Sequence, residues 1–447
     1  MENSQIQLVE DPKNLTIPTL NRFVTPNDIT KLVLRHGTPL YLIDEDTLHT
    51  KVRELHSAYS KFVGPVKVAY SIKANFSPAI LRVFIKDGIT FDLTSIGELR
   101  FVKKCKVNPE NIIYTSVTEE PEEYHEVLQS GIKKIVVSSF NGMTNLAKAA
   151  SKIGIKPMTM IRVNPEVGVK AEIRASYRNG KFGVPLNGGT IDSATKMVRH
   201  LMDNDLLQFE GFHFHLGSQI TDFSCYTHAF DKIDAFMTKI KKEYPNFQVR
   251  TLDIGGGTPV FYNEPVPTPI QMAENHVDRL NQIAETHGKF ELMIESGRFL
   301  VAESSILVSK IVNTKEYNEH KIVIVDAGYH LLLDAALLKQ EYPQEVVPLL
   351  TNKGERMPTP KNIHLAGRLC DTYDVFPLSK ASNLNEADTG RYVTFYNVGA
   401  YSIVFNMPFH CQTKPPIVMK TSNGDFKLVR KGTSYEQLFI EEGGSID

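Results

Sequence analysis

Short runs of β-branched and aromatic residues alternate with longer amphipathic stretches through the first two thirds of the chain. Eight runs read as strands: Val66–Ser71, Thr90–Thr94, Ile112–Thr115, Lys134–Ser138, Met158–Val163, Gly211–His215, Thr251–Ile254 and Glu291–Glu295. Helical patterns such as Ile96–Cys105 and Phe230–Glu243 fall between them, and alternation of strand with helix predicts a parallel sheet. Eight such units close into a TIM-like (β/α)8 barrel, an α/β fold, placed here over residues 46–305.

Beyond about Ser304 the texture changes. Ile306–Val312, Lys321–Val325, Asn362–Ala366, Tyr392–Val398 and Pro416–Lys420 are strand-like with few helical intervals, and Phe376–Thr389 reads as a polar loop. These runs predict a second, β-rich domain of sandwich or barrel type. Pro39–Ile43 precedes the barrel and needs a strand to pair with, so residues 1–45 are assigned with 306–447 to that domain.

Composition narrows the function. The chain has 447 residues, is 42% hydrophobic, and sets Lys+Arg 50 against Asp+Glu 51 for a formal charge of -1. No overall field draws it to nucleic acid or to an anionic membrane, which leaves a small molecule as the expected partner. Met1–Glu10 lacks the basic and apolar regions of a signal peptide, and a cytoplasmic location is expected. Cys105, Cys225, Cys370 and Cys411 are scattered, which argues against a disulfide framework or a structural zinc site.

Polar residues gather just past the carboxyl ends of the barrel strands, where such barrels build their sites. Lys73 and Asn75 follow the first strand; Asp92 and Ser95 end the second; Arg162 and Asn164 end the fifth. His215, Gly217 and Ser218 end the sixth, Gly255, Gly256 and Gly257 follow the seventh, and Glu295, Ser296, Gly297 and Arg298 end the eighth. Any one of these has an ordinary structural explanation, and their convergence on one rim is what matters. A lysine, a glycine-rich phosphate loop, an acid, a histidine and an arginine together suit pyridoxal 5′-phosphate (PLP). That cofactor needs a lysine for its Schiff base, a phosphate cup and a partner for its pyridine nitrogen. Glu295 is the expected nitrogen partner. A phosphosugar enzyme with a catalytic Lys73 would explain the loops but not the appended β domain.

At these residues the chain resembles the fold-type III PLP enzymes, the diaminopimelate and ornithine decarboxylase group with its alanine racemase-like barrel. The strings that carry the resemblance are Val68–Asn75 (VAYSIKAN), Phe91–Leu99 (FDLTSIGEL), Gly211–Gln219 (GFHFHLGSQ), Leu252–Gly257 (LDIGGG), Glu295–Arg298 (ESGR), Cys370–Asp374 (CDTYD) and Gly399–Tyr401 (GAY). The resemblance implies that Lys73 carries the cofactor and His215 stacks on its ring. It implies that Ser218, Gly255–Gly257 and Gly297–Arg298 hold the phosphate, with Tyr401 touching it near the domain junction, and that Glu295 pairs with the ring nitrogen. Asp92 and Arg162 belong to the same cofactor site. The family forms head-to-tail dimers with shared sites, so Cys370 and Asp371 would enter from a partner subunit. Cys370 would then be the acid that reprotonates the α-carbon.

Departures from the family bear on the substrate. Diaminopimelate decarboxylases hold the distal end of their substrate partly with an arginine and a tyrosine in the region matching Tyr329–Leu338, and neither is read at the matching positions. Asp334 stands there instead and repels a carboxylate, and the family's Cys-Glu is Cys370–Asp371, as in ornithine decarboxylases. Asp334, Asp371 and Arg298 are the expected substrate contacts. The spelling elsewhere, including Val429–Leu438, is closer to the diaminopimelate branch. The expected activity is α-decarboxylation of an amino acid with a distal amine or other cation, such as ornithine, lysine or an amine-bearing intermediate. The alternatives are diaminopimelate decarboxylase making L-lysine, an amino-acid racemase, or a non-catalytic regulatory homologue.

Overall fold

The computed structural model describes residues 19–171, 173–188, 191–347 and 362–445; Met1–Glu10 lies outside them. Strand β1 (Leu40–Asp44) precedes eight barrel strands: β2 (Val66–Ser71), β3 (Thr90–Leu93), β4 (Ile112–Thr115), β5 (Lys134–Val137), β6 (Met158–Asn164), β7 (Gln208–His213), β8 (Thr251–Asp253) and β9 (Glu291–Ser296). Each pairs in parallel with the next, and β9 closes onto β2 with Glu295 opposite Ala69. Closure removes the sheet edges, and all eight carboxyl ends open at one mouth.

The interior is packed rather than hollow. Ala69, Ile113, Val136, Met160 and Met293, from five of the strands, form a core of their own. At the amino-terminal end Lys134 reaches Glu291 at 3.0 Å and Thr251 at 3.2 Å, an ionic floor that leaves the mouth as the wet end. The helices pack outside through one apolar face, and both patterns read from the sequence fall on helices. Ile96–Lys104 starts at the Ser95 cap, and Ser224–Glu243 begins six residues before the sequence pattern does.

The second sheet comprises β1 with β10 (Ser305–Tyr317), β11 (His320–Val325), β12 (Gln344–Val346), β13 (Ile363–Ala366), β14 (Val375–Phe376), β15 (Tyr392–Phe395), β16 (Ile417–Lys420) and β17 (Phe426–Arg430). β1 lies between β10, antiparallel, and β16, parallel, and all five of its residues are buried. Pro39–Ile43 therefore finds its neighbours in the C-terminal sheet. Three short strands escape the sequence pattern: β12, β14 and β17. Of these, β14 intrudes by one residue into the segment read as a loop, where Phe376 pairs with Leu365. No helix among the described residues is long and apolar enough to cross a membrane.

Candidate active site

Lys73 occupies a single 3-10 turn, Ile72–Ala74, directly after β2. Ile72 and Ala74 are fully buried and anchor the turn, so the lysine alone points into the mouth. Its side chain stays 45% accessible through that opening. The turn is clamped from the second sheet: Tyr401 N–H donates to the Ala74 carbonyl at 2.9 Å, and Asn75 Nδ2 donates to the Gly399 carbonyl at 2.9 Å. Asn75 is thus a joint between the two parts of the chain.

Carboxylates and histidines line the space below Lys73. Asp92 lies 4.0 Å from its ammonium. Burial, then the nearby charge of Glu295, pushes Asp92 up to about 7 against the opposing pull of Lys73. Glu295 behaves oppositely. Burial pushes it upward, but its contact with His213 at 3.3 Å and the charge of Lys73 outweigh burial and lower it. Two neighbouring carboxyl groups with pKa values driven apart mark a functional site. For Lys73, burial works against the charge, but Asp92, Tyr401 and Glu295 prevail and raise its pKa. Arg162 is buried over the Phe182 ring at 4.5 Å; burial lowers its pKa while Glu295, Asp92 and Asp253 favour its charge. Asn164, in contrast, is structural: it binds the Tyr177 carbonyl, Ser176 Oγ and Glu166 N–H.

His215 is lowered to about 3, by burial first and by Lys73 next, so it is a neutral imidazole. Its Nδ1 accepts from Gly256 N–H at 3.1 Å, which places its proton on Nε2. The glycine loop is shaped by two residues in left-handed backbone, Gly255 at φ 68 and Gly257 at φ 129. A Cβ on Gly255 would collide with the Phe214 carbonyl, and one on Gly257 would sit 2.7 Å from the Tyr226 hydroxyl. Gly255 spends its N–H on Asp253 at 2.8 Å, and Gly256 spends its own on His215. The loop thus provides a concave wall more than a row of donors. Gly297 completes the wall, since a Cβ there would lie 3.0 Å from Ala74 Cβ and 3.4 Å from the Tyr401 hydroxyl. Ser218 is half-buried and pairs with Ile173 in a two-residue antiparallel bridge.

Residues 49–302 match the family model described as pyridoxal-dependent decarboxylase, pyridoxal binding domain. The chain belongs to that family. It is similar to the diaminopimelate decarboxylase of Vibrio cholerae, 30% identical over 421 residues, which is 93% of this chain and 94% of that protein. Among solved structures, diaminopimelate decarboxylase from Helicobacter pylori complexed with L-lysine superposes with a TM-score of 0.81 at 25% identity, covering 93% of this chain and 99% of that one. Lysine/ornithine decarboxylase from Vibrio vulnificus complexed with putrescine shares the fold, with a TM-score of 0.71 at 22% identity over 88% and 97%. The protein is a pyridoxal-dependent amino-acid decarboxylase, built on an eight-stranded parallel barrel with a β-rich C-terminal domain.

On the far side of the decarboxylase's mouth, Arg298 is buried under two phenol rings. Its guanidinium lies 4.8 Å from the Tyr401 ring centre and 5.8 Å from that of Tyr262, whose hydroxyl it meets at 3.1 Å. Its Nη2 is 3.8 Å from Asp334 Oδ2, both side chains about 5–6% exposed. Tyr342 packs edge-on to Tyr262 at 5.4 Å, with no partner for its hydroxyl.

Cys370 and Asp371 lie elsewhere on the same chain. Cys370 is exposed, and its N–H donates to His410 Nδ1 at 3.4 Å. Asp371 accepts from the Tyr373 N–H and, at 3.2 Å, from the hydroxyl of Tyr329, the tyrosine that opens the window read as lacking one. Tyr401 behaves differently from this pair. It belongs to the C-terminal region too, yet it closes on the lysine turn of its own chain. Sequence reasoning passed over His213, Asp253, Tyr262 and Tyr342. A signal existed for His213 and Asp253: polar residues inside the buried strings GFHFHLGSQ and LDIGGG, where apolar side chains are the rule.

Proposed function

We propose that this decarboxylase removes the α-carboxylate of an amino acid whose far end carries a cation and no second carboxylate. The observation that carries this reading is the buried Asp334 carboxylate 3.8 Å from Arg298. An arginine already faced by a carboxylate has little left for a distal substrate carboxylate, which would also meet like charge in a desolvated recess. A terminal ammonium gains there instead. A second reading, decarboxylation of meso-diaminopimelate, is favoured by the 30% identity to the Vibrio cholerae enzyme.

The residues present fit PLP. Asp92 Oδ1 is buried without a hydrogen-bond partner beside Lys73, the ionised Glu295 lies in the same mouth, and Gly255, Gly257 and Gly297 keep the backbone there free of side chains for which there is no space. Lys73 would hold the cofactor covalently, His215 and Arg162 would border its ring, and Ser218, the glycines and Tyr401 would surround its phosphate. When bound, PLP supplies an electron sink for the pair released as carbon dioxide leaves. The chain's own residues do the rest. Glu295, ionised at neutral pH, holds a proton at the ring nitrogen; neutral His215 covers the ring without competing charge; Arg298 and Asp334 orient the substrate.

Because Cys370 is exposed, and Asp371 beside it half-buried, on one chain, we assign them to a partner's site. Residues 1–45 with 306–447 of one subunit would complete the mouth of the 46–305 barrel of the other in a homodimer. Cys370 would return the proton to the α-carbon. The test is carbon dioxide release by purified, PLP-loaded enzyme from lysine, ornithine, arginine and meso-diaminopimelate. Turnover of a cationic substrate with diaminopimelate at least about a hundredfold slower, the worth of one to two charge-assisted hydrogen bonds, is expected. Efficient turnover of meso-diaminopimelate alone overturns the reading.

A further inference from the structure

Four of the buried polar atoms that have no hydrogen-bond partner sit in one place: His213 Nδ1, His213 Nε2, Asp253 Oδ2 and Glu295 Oε1. Buried polar groups are almost always paired, so four orphans together call for a single explanation. The three side chains come from adjacent strands. His213 on β7 and Asp253 on β8 are opposite one another in register, and β8 pairs directly with β9, which carries Glu295 two residues beyond the Met293 that faces Asp253. One donor or acceptor atom from each lies within 4.8 Å of the others. His213 Nε2 is 3.3 Å from Glu295 Oε1, with the histidine side chain 1% and the glutamate 6% exposed. Asp253 is fixed from the other side, its Oδ1 accepting from Gly255 N–H.

We infer that Asp253, His213 and Glu295 form a buried relay in which His213 is the positioning residue for Glu295. Protonated Asp253 Oδ2 donates to His213 Nδ1, and His213 Nε2–H donates to Glu295 Oε1. The second carboxylate oxygen of Glu295 is thereby aimed at the ring nitrogen of PLP; this last clause rests on the cofactor reading above, whereas the relay itself does not. The chain of donors satisfies all four orphaned atoms at once. Burial first, and Glu295 next, raise the Asp253 carboxyl well above the usual carboxylate range, and burial outweighs Glu295 to lower His213 below the ordinary imidazole value. Lys73 and Arg162 both bring positive charge against His213, so a proton rather than a metal cation suits the gap. Asp92, His215 and, from the floor of the barrel, Lys134, whose charge pulls against the rise of Asp253, are the other titratable groups acting on it. A histidine oriented by a carboxylate and fixing the next group in line is a general way to set tautomer and direction.

Two measurements test this on the holoenzyme and on the full apo chain. Histidine-15N NMR reads the tautomer: His213 should be Nε2–H in both forms and should lose that preference in Asp253→Leu. An Nδ1–H tautomer, or an unchanged spectrum in Asp253→Leu, overturns the relay whether or not PLP binds. With ring-15N PLP bound, wild type and His213→Gln, whose amide still donates, should keep the ring nitrogen protonated at pH 8. His213→Phe should shift it toward the unprotonated position and lower kcat about 10- to 100-fold with KM within about twofold. A ring nitrogen equally protonated in His213→Phe removes the positioning role. Wild-type enzyme that never takes up PLP would count against the cofactor reading and leave the tautomer result to decide the relay.

Discussion

Arg298 and Asp334, buried side by side with Nη2 and Oδ2 3.8 Å apart, join the end of the barrel to the C-terminal region across the mouth that also contains Lys73. Arg298 follows β9 directly, while Asp334 sits in the short helix Leu333–Leu337 after β11. The contact sets one positive and one negative charge together in a buried recess.

Asp334→Asn should lower kcat/KM for a lysine- or ornithine-like substrate about 10- to 100-fold, the value of one charge-assisted hydrogen bond of about 1.5–3 kcal/mol. It should also raise the relative rate on meso-diaminopimelate, because Arg298 then faces an uncharged amide. Carbon dioxide release on both substrates measures the ratio. A ratio that does not move removes Asp334 from specificity.

Loading of PLP onto the apoenzyme should quicken with pH. Only the neutral amine attacks, and Lys73 is raised above its ordinary value by Asp92, Tyr401 and Glu295 despite burial. The neutral fraction, and with it the rate, should therefore climb about tenfold per pH unit from pH 7 to 9. Asp92→Asn should speed loading at pH 7.5. Stopped-flow absorbance follows both, and a plateau below pH 8 would contradict the assignment of the charges.

Asp92 also links stability to pH. Its folded value of about 7, set by burial and then Glu295, exceeds the unfolded value of about 3.9. A group raised on folding contributes stability fully below about pH 4, and that contribution is lost as pH rises through 7. Asp92→Asn keeps the neutral form, so the apo variant should melt higher than wild type at pH 8.5, by about 1 °C per kcal/mol recovered for a chain of this length. At pH 4.5 the gain should be only about a quarter as large. Calorimetry at the two pH values decides.

Mixing Lys73→Ala with Cys370→Ala subunits should restore activity that neither has alone. Each mixed dimer would hold one intact site, so a freely exchanging pool reaches about a quarter of wild-type activity. Cys370→Ala by itself should keep the cofactor's absorbance and lose about 10²–10⁴-fold in turnover, as removal of a general acid does. No recovery despite demonstrated subunit exchange would mean that each site is built within one chain.

Periodicity along the chain was enough to read the barrel. All eight strands overlap the runs that predicted them, and β2 matches residue for residue, because strands buried in a closed barrel read as mostly apolar, β-branched runs. The rim residues were legible for a related reason. Lys73, Asp92, Arg162 and Glu295 each interrupt or end such a run, where water or a ligand has to compensate the charge. β12, β14 and β17 were not legible: two or three residues of a strand, or a half-exposed edge such as Phe426–Arg430, leave no period to detect.

Which charge opposes which was beyond reach from spacing. His213, Asp253 and Glu295 are 40 or more residues apart and meet only because barrel closure sets adjacent strands in register. Asp92, raised to about 7, and Glu295, held below its ordinary value, are both acids at strand ends, and only the surrounding atoms drive them apart. Tyr401 and Cys370 both lie late in the chain, in strings of similar appearance. Packing alone sends Tyr401 onto the turn of its own Lys73 and leaves Cys370 facing outward, since proximity in a closed fold depends on sheet pairing rather than on distance along the sequence.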